Sequence, residues 1–217
     1  MDSQNFKLFL VGSGGHAISI ASSLEHDGVQ IDGVIDPFTN EKQFGQITIV
    51  KAFQKLPEQS LLVLAVGDNH NRESLLAEVL DESKRFELYT HISSRAIVSN
   101  SASVLEGAIV LPGSYVGPRA ILGVGSLINT NSVIEHHSTV GNFASLAPGA
   151  ILLGNVKVGP GAHVGPGSIV DSKVYIGQHS ILGANSYLRM DLPDFVVAHG
   201  NPAVPVRDRF KGEPYLV

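Results

Sequence analysis

The chain has 217 residues, 43% of them hydrophobic and 16% charged, with a net charge of −5 and no cysteine. That composition supports a buried core and excludes a disordered chain, disulfides, Cys-zinc sites and a thiol nucleophile; the acidic balance, with no basic cluster, argues against nucleic acid as partner. Met1–Lys7 carries no signal-peptide pattern and no apolar run reaches the ~18 residues that span a bilayer, so a cytoplasmic protein is expected.

Lys7–Val11 reads as a buried strand, followed by Gly12-Ser13-Gly14-Gly15-His16-Ala17 and then Ile18–Glu25 with helical potential. A strand, a glycine-rich turn and a helix start resemble the opening of a nucleotide-binding α/β unit. There glycines let the backbone approach a ligand and free N–H groups meet an anion. A tight turn with no ligand would have the same residues. Ile31–Pro37 reads as a second strand ending in Asp36, at the ~20-residue distance where an acid can bind a ribose in a Rossmann-like unit or simply cap the next turn. Ile47–Val50 is a short third strand, and Ser60–Gly67 a parallel-type strand followed by Asp68-Asn69-His70-Asn71. Asn69 or Asn71 can cap a helix from about Arg72 to Lys84, and Phe86–Tyr89 is a last strand. Residues 1–88 thus form a small parallel α/β domain of four or five strands, a size that favours a mononucleotide or nucleotide-sugar over a dinucleotide.

Over residues 89–190 an aliphatic residue recurs every sixth position, from Ile92, Val98, Val104, Val110 and Val116 without a slip to Leu182 and Leu188. Two residues before nearly every one stands a small residue, such as Ala96, Ala102, Ser114, Ser126 or Ala144. A period of six fits neither a helix nor a hairpin sheet; it fits a parallel β-helix of hexapeptide repeats, three to a coil, with the aliphatic residue inside. The 96-residue separation between Ile92 and Leu188 makes just over five coils, stable only as a stack. Gly often follows the aliphatic residue, where a tight turn is expected to tolerate no Cβ. The pattern [LIV]-G-x-x-[STA]-x resembles the left-handed β-helix of hexapeptide-repeat acyltransferases, and the left hand is implied by that resemblance alone. The period breaks after Leu188, and residues 191–217 are read as a cap followed by a polar tail, Arg207–Val217.

One stretch of the β-helix stands out chemically: Asn129–Ser138, with Ile134 inward and Glu135-His136-His137 at the following turn. A histidine there can act as a general base near neutral pH. Together with Gly12–Ala17, Gly67–Asn69 and Gly154–Gly159, the segment N-x-x-S-V-I-E-H resembles the bacterial PglD/NeuD-type sugar acetyltransferases over nearly the whole chain. That group includes nucleotide-4-amino-sugar N-acetyltransferases and sialic-acid O-acetyltransferases. The resemblance implies a homotrimer with active sites between adjacent β-helices and His136 as catalytic base. It implies nucleotide-sugar contacts at Gly14, Gly15, His16, Asp36, Pro37, Gly67, Asp68 and Asn69. It implies acetyl-CoA along the β-helix, near Ser145, Gly154, Gly165, Pro166, Gly183 and Ala184, with no metal.

Two departures from the family pattern matter. His137 stands where the family has Glu or Asp, so the partner of His136 is Glu135, an acid from a neighbouring subunit, or none; and Ser145 stands where the family often has His. The expected reaction is acetyl transfer to the 4-amino group of a nucleotide-linked dideoxy sugar, with sugar O-acetylation as the alternative. The rivals from other classes are a non-catalytic nucleotide-sugar-binding trimer and a γ-type carbonic anhydrase. The latter would need three of His91, His136, His137, His163 and His179 as metal ligands.

Overall fold

A computed structural model describes residues 6–57, 59–82 and 86–215. The chain divides into two compact units: residues 1–67 with 71–89, and residues 68–70 with 90–217.

The first unit is built on β1 (Leu8–Val11), whose four residues are all buried. β2 (Gly33–Ile35) and β5 (Ser60–Leu64) flank it in parallel, and β4 (Ile47–Val50) and β6 (Phe86–Leu88) extend the sheet outward. Helix α1 (Gly15–His26) buries Ala17, Ile20, Ala21 and Leu24, a helical spacing that makes one apolar stripe. Helix α2 spans Asn69–Glu82, and the expected end at Lys84 lies outside the described residues. The sequence reading missed β3 (Gln43–Phe44), which pairs antiparallel with β4 and makes six strands in the order β3-β4-β2-β1-β5-β6. Two residues without an apolar run carry no period to detect. Because β2 and β5 lie on opposite sides of β1, the strand order switches there, and the C-terminal ends of β1 and β5 are the place where open α/β sheets take their ligands.

The second unit is a triangular solenoid of seventeen two-residue strands, from β7 (His91–Ile92) to β23 (Tyr187–Leu188). Those from His91–Ile92 to Ile169–Val170 each pair in parallel with the strand eighteen residues on, as in Ile109↔Leu127, Val133↔Ile151 and Thr139↔Lys157, and the strands sort into three sheets. The aliphatic second residue points inward: Val116, Leu122, Ile128, Ile134, Val140, Leu146 and Leu152 are fully buried. Each such side chain contributes ~1.5–3 kcal/mol of burial. Ile92 in the first coil is 41% exposed, because a solenoid core is closed only where a neighbouring coil lies on it.

From Ala108 on, the small-residue row is also buried, and its serines have a physical reason. Ser114, Ser132, Ser138 and Ser168 donate their hydroxyls to carbonyls fifteen residues on, those of Asn129, Ala147, Leu153 and Gly183. At these four positions serine substitutes for alanine without leaving a buried hydroxyl unpaired, whereas the Ser126 hydroxyl is buried with no hydrogen-bond partner. The glycines after the aliphatic residues need correction. A Cβ at Gly141 would lie 2.7 Å from Pro160 N, and one at Gly165 2.6 Å from Leu182 O. The next coil's backbone, rather than turn conformation, excludes a side chain there. The left-handed turn positions fall elsewhere, and many carry side chains, among them Arg119, Asn131, His137, Asn155 and Lys173.

At the C-terminal end β24 (Val196–Gly200) continues one sheet and β25 (Ala203–Asp208) folds back on it. The segment expected to be a polar tail is largely exposed but tied down at several points. The Arg209 guanidinium donates to the His179 carbonyl at 2.6 Å, Glu213 pairs with Arg207 at 2.7 Å, and the Tyr215 ring lies 4.6 Å from that of His163. Residues 216–217 lie outside the described residues.

Candidate active site

His136 and His137 occupy the turn between β14 (Val133–Ile134) and β15 (Thr139–Val140), and both are exposed. His137 takes the left-handed backbone conformation of this turn column, with φ +60°. That bend turns its ring back onto its neighbour. The two Nδ1 atoms are 3.1 Å apart and the rings meet edge to face, with centroids 5.3 Å apart. Among the described residues no hydrogen bond or ion pair joins Glu135 to His136, and the ring that meets His136 within the chain is that of His137. The far nitrogen of His137, Nε2, lies 3.4 Å from Nη1 of Arg119. Arg119 stands eighteen residues earlier, one coil away, and sequence reasoning missed it; the eighteen-residue step is the signal that could have found it.

One coil on from His136 is Gly154, buried beneath the ring. A Cβ there would lie 2.6 Å from Cε1 and 2.7 Å from Nε2 of His136. The glycine is not at a positive φ, so the imidazole itself is what requires it. The N–H of Gly154 donates to no group among the described residues, whereas its carbonyl accepts from Lys173.

Gly165 and Pro166 stand one coil before Gly183 and Ala184, on turns that stack directly; Pro166 and Ala184 are exposed. These four line one edge of the sheet that contains β14, β17 (Ile151–Leu152) and β20 (Ile169–Val170). His136 and Gly154 line the opposite edge of the same sheet. One chain therefore does not bring the two groups together. Between them the outward residues form an apolar row: Ile97, Tyr115, Val133, Ile151, Ile169 and Tyr187. Ser145 is in a third place, on β16 (Ser145–Leu146). It is 2% exposed, with its hydroxyl 2.8 Å from Nδ1 of His163.

In the first unit, Gly14 caps α1 without any side-chain hydrogen bond; the Ala17 N–H turns back to the Gly14 carbonyl at 2.9 Å, while the N–H groups of Gly15 and His16 meet no acceptor among the described residues. Gly14 and Gly15 are exposed, have no positive φ, and a Cβ on either would meet nothing within 4 Å. Among the described residues nothing requires glycine at these two positions.

Asp36 is employed inside the domain. Its Oδ2 accepts from the N–H and hydroxyl of Ser13 at 3.0 and 2.7 Å, and its Oδ1 from the N–H groups of Phe38 and Thr39. It thus ties the glycine-rich turn to the loop after β2, and Pro37 beside it is half-buried. Arg72, 1% exposed, donates to the carbonyls of Val66 and Gly67 and holds the end of β5.

Asp68 and Asn69 belong by contacts to the second unit. There the Asn69 amide donates to the Gly161 and Ala162 carbonyls at 3.2 and 2.9 Å.

His16 has its Nε2 buried without a hydrogen-bond partner. Burial, and then the nearby Arg72 guanidinium, lower its pKa to about 4. The unfolded chain therefore binds a proton near pH 6.5 that the folded domain refuses until about pH 4. Stability is fully present above 6.5 and falls as the pH drops toward 4, by up to roughly 3 kcal/mol. Thermal melts of the wild type and His16→Asn between pH 7 and 4.5 check this: the variant should show a flatter pH dependence, and parallel curves would contradict it.

Among the described residues no three His, Cys, Asp or Glu side chains come together as a metal set. No described helix is long and apolar enough to cross a membrane.

Residues 155–189 match the bacterial transferase hexapeptide family (six repeats), and residues 7–79 match the PglD N-terminal domain. Fold and repeat together define a hexapeptide-repeat acyltransferase with a left-handed β-helix. GDP-perosamine N-acetyltransferase from Caulobacter crescentus, solved with CoA and GDP-perosamine, is 31% identical. The match covers 94% of this chain and 98% of that one with a TM-score of 0.86. The acetyltransferase domain of PglB from Neisseria gonorrhoeae is 26% identical over 93% of this chain and all of that one, TM-score 0.85. WeeI from Acinetobacter baumannii, 18% identical at TM-score 0.84 with 93% and 100% covered, shares the fold. A search of curated proteins gave no match. The chain belongs to the PglD-type sugar N-acetyltransferases of the hexapeptide-repeat superfamily, and it is an acetyltransferase.

Proposed function

We propose that this protein transfers the acetyl group of acetyl-CoA to the 4-amino group of a nucleotide-linked amino-dideoxy sugar, with His136 as general base. The observation that carries the reading is the His136 imidazole seated on Gly154, at an exposed corner, in a chain 31% identical to a GDP-perosamine N-acetyltransferase. His136 accepts a proton from the sugar amine as its nitrogen bonds to the thioester carbonyl carbon. The N–H of Gly154, which has no acceptor in the described chain, stabilises the developing oxyanion. The C–S bond then breaks, and coenzyme A leaves as its thiolate. Transfer is direct, in a ternary complex, and positioning of the amine supplies much of the acceleration.

The nucleotide-sugar binds the first unit at the crevice beside β1. Gly14 and Gly15, which the fold itself does not require, leave room for a ligand to approach the open N–H groups of α1. Asp36 acts there by shaping the turn around Ser13.

The cofactor-side residues Gly165, Pro166, Gly183 and Ala184 stand across a sheet from His136, so a second subunit completes the site. The apolar row from Ile97 to Tyr187 supports this, since Ile97 is 67% and Ile169 37% exposed in one chain. Subunits of a homotrimer bury it. Ile151→Glu is expected to yield a folded monomer without activity, by light scattering after size exclusion. A trimer that survived the change would place the interface on another face.

Thiol release from acetyl-CoA with GDP-, UDP- and dTDP-linked 4-amino sugars tests the whole reading. Turnover with one of them is expected. Turnover only with a sugar hydroxyl would replace N- by O-acetylation, and coenzyme A binding without turnover on either acceptor would overturn the reading.

A further inference from the structure

The three groups at the catalytic corner form a directional chain. Arginine has only donors, so the 3.4 Å contact from its Nη1 makes Nε2 of His137 an acceptor. A neutral His137 then carries its proton on Nδ1. That proton points at Nδ1 of His136, 3.1 Å away, which must accept it. The proton of neutral His136 is thereby placed on Nε2, on the side of the ring that overlies Gly154. A nitrogen that already carries a proton cannot take one from an amine.

Resting on the reading of His136 as base, we propose that Arg119 is a positioning residue that, through His137, sets which ring nitrogen of His136 carries the proton. Two arrangements of the same two protons exist. With Arg119 on His137, the His136 proton is on Nε2 and the base is held back. With Arg119 away, His137 carries its proton on Nε2 and accepts at Nδ1 from His136, whose own Nε2 is then a free lone pair over Gly154. Arg119 opposes the second arrangement because its N–H would face another N–H. All three side chains are exposed, so the contact is readily exchanged for solvent or an anion. A carboxylate at position 137 would behave differently. It only accepts, so it would draw the His136 proton to Nδ1 whatever Arg119 does.

The test uses the full-length protein with histidine labelled in both ring nitrogens with 15N, above the histidine titration range. His136 is assigned by the loss of its signals in His136→Ala. In the wild type Nε2 of His136 is expected to be the protonated nitrogen. In Arg119→Met, and in Arg119→Gly, which suits the left-handed backbone at φ +58°, the protonated and unprotonated signals exchange between the two nitrogens. In His137→Glu they exchange as well, and adding Arg119→Met to it changes nothing further. The Arg119 variants should raise kcat severalfold with KM for both substrates unchanged. A wild-type His136 protonated on Nδ1, or a tautomer indifferent to Arg119, would overturn the proposal. The ring signals decide this even if no amino sugar is acetylated, an outcome that would count against the catalytic reading instead.

Discussion

Replacement of His136 by alanine is expected to lower kcat for acetyl transfer by ~10²–10⁴, the contribution of a positioned general base. The side chain is exposed and makes no core contact, so the fold and the binding of both substrates should survive. The drop should therefore appear in kcat, with KM and the melting temperature near wild-type values. His137→Ala separates the two rings of the pair. It removes the partner of Nδ1 and with it the route from Arg119 but leaves the base, so kcat should not fall with that of His136→Ala. A His136→Ala enzyme with wild-type kcat would assign the proton to another group, and an equal loss in both variants would mean that the rings act as one unit.

Gly154→Ala should be nearly as damaging for a different reason. The added methyl would stand 2.6 Å from Cε1 of His136. The ring is the end of an exposed side chain, so it swings aside and the backbone stays. A displacement of ~1 Å at a reacting group costs on the order of 10² in rate. The glycine has no positive φ, so alanine suits its backbone, and stability should change by no more than ~0.5 kcal/mol. Gly141→Ala is the contrast. There the methyl would meet the backbone of Pro160 at 2.7 Å, which cannot swing away. Its loss should appear in the melting temperature. Similar unfolding midpoints for the two variants, or full activity in Gly154→Ala, would refute the assignment of Gly154 to the imidazole.

Much of this was legible because the solenoid is nearly one-dimensional. Each hexapeptide meets only its neighbours in the stack, so a period of six in Ile92–Leu188 already implies the coil, its apolar interior and its serine-tolerant inner row. The corner position of His136 followed from counting two residues past inward-facing Ile134. The small strand β3 escaped because Gln43–Phe44 has neither length nor period. The packing of Arg209 and Tyr215 escaped because a polar segment that folds onto a β-helix looks, residue by residue, like one that does not.

The candidate site divides in the same way. Sequence alone determined the two-domain class, the repeat, the corner histidine and the family, since each is written in local spacing or in a motif. Tertiary structure decided who touches whom. It removed Glu135 as the ring partner of His136 and supplied His137, because a left-handed turn bends the second ring onto the first. It brought in Arg119 from one coil away and showed that Gly154 is glycine because an imidazole covers it. It gave Asp36 to Ser13, Asn69 to the Gly161 and Ala162 carbonyls, and Ser145 to His163. Hydrogen-bond partners are settled by positions in space within a few ångströms, and residues eighteen or more apart in the chain carry no local mark of which neighbour they will meet.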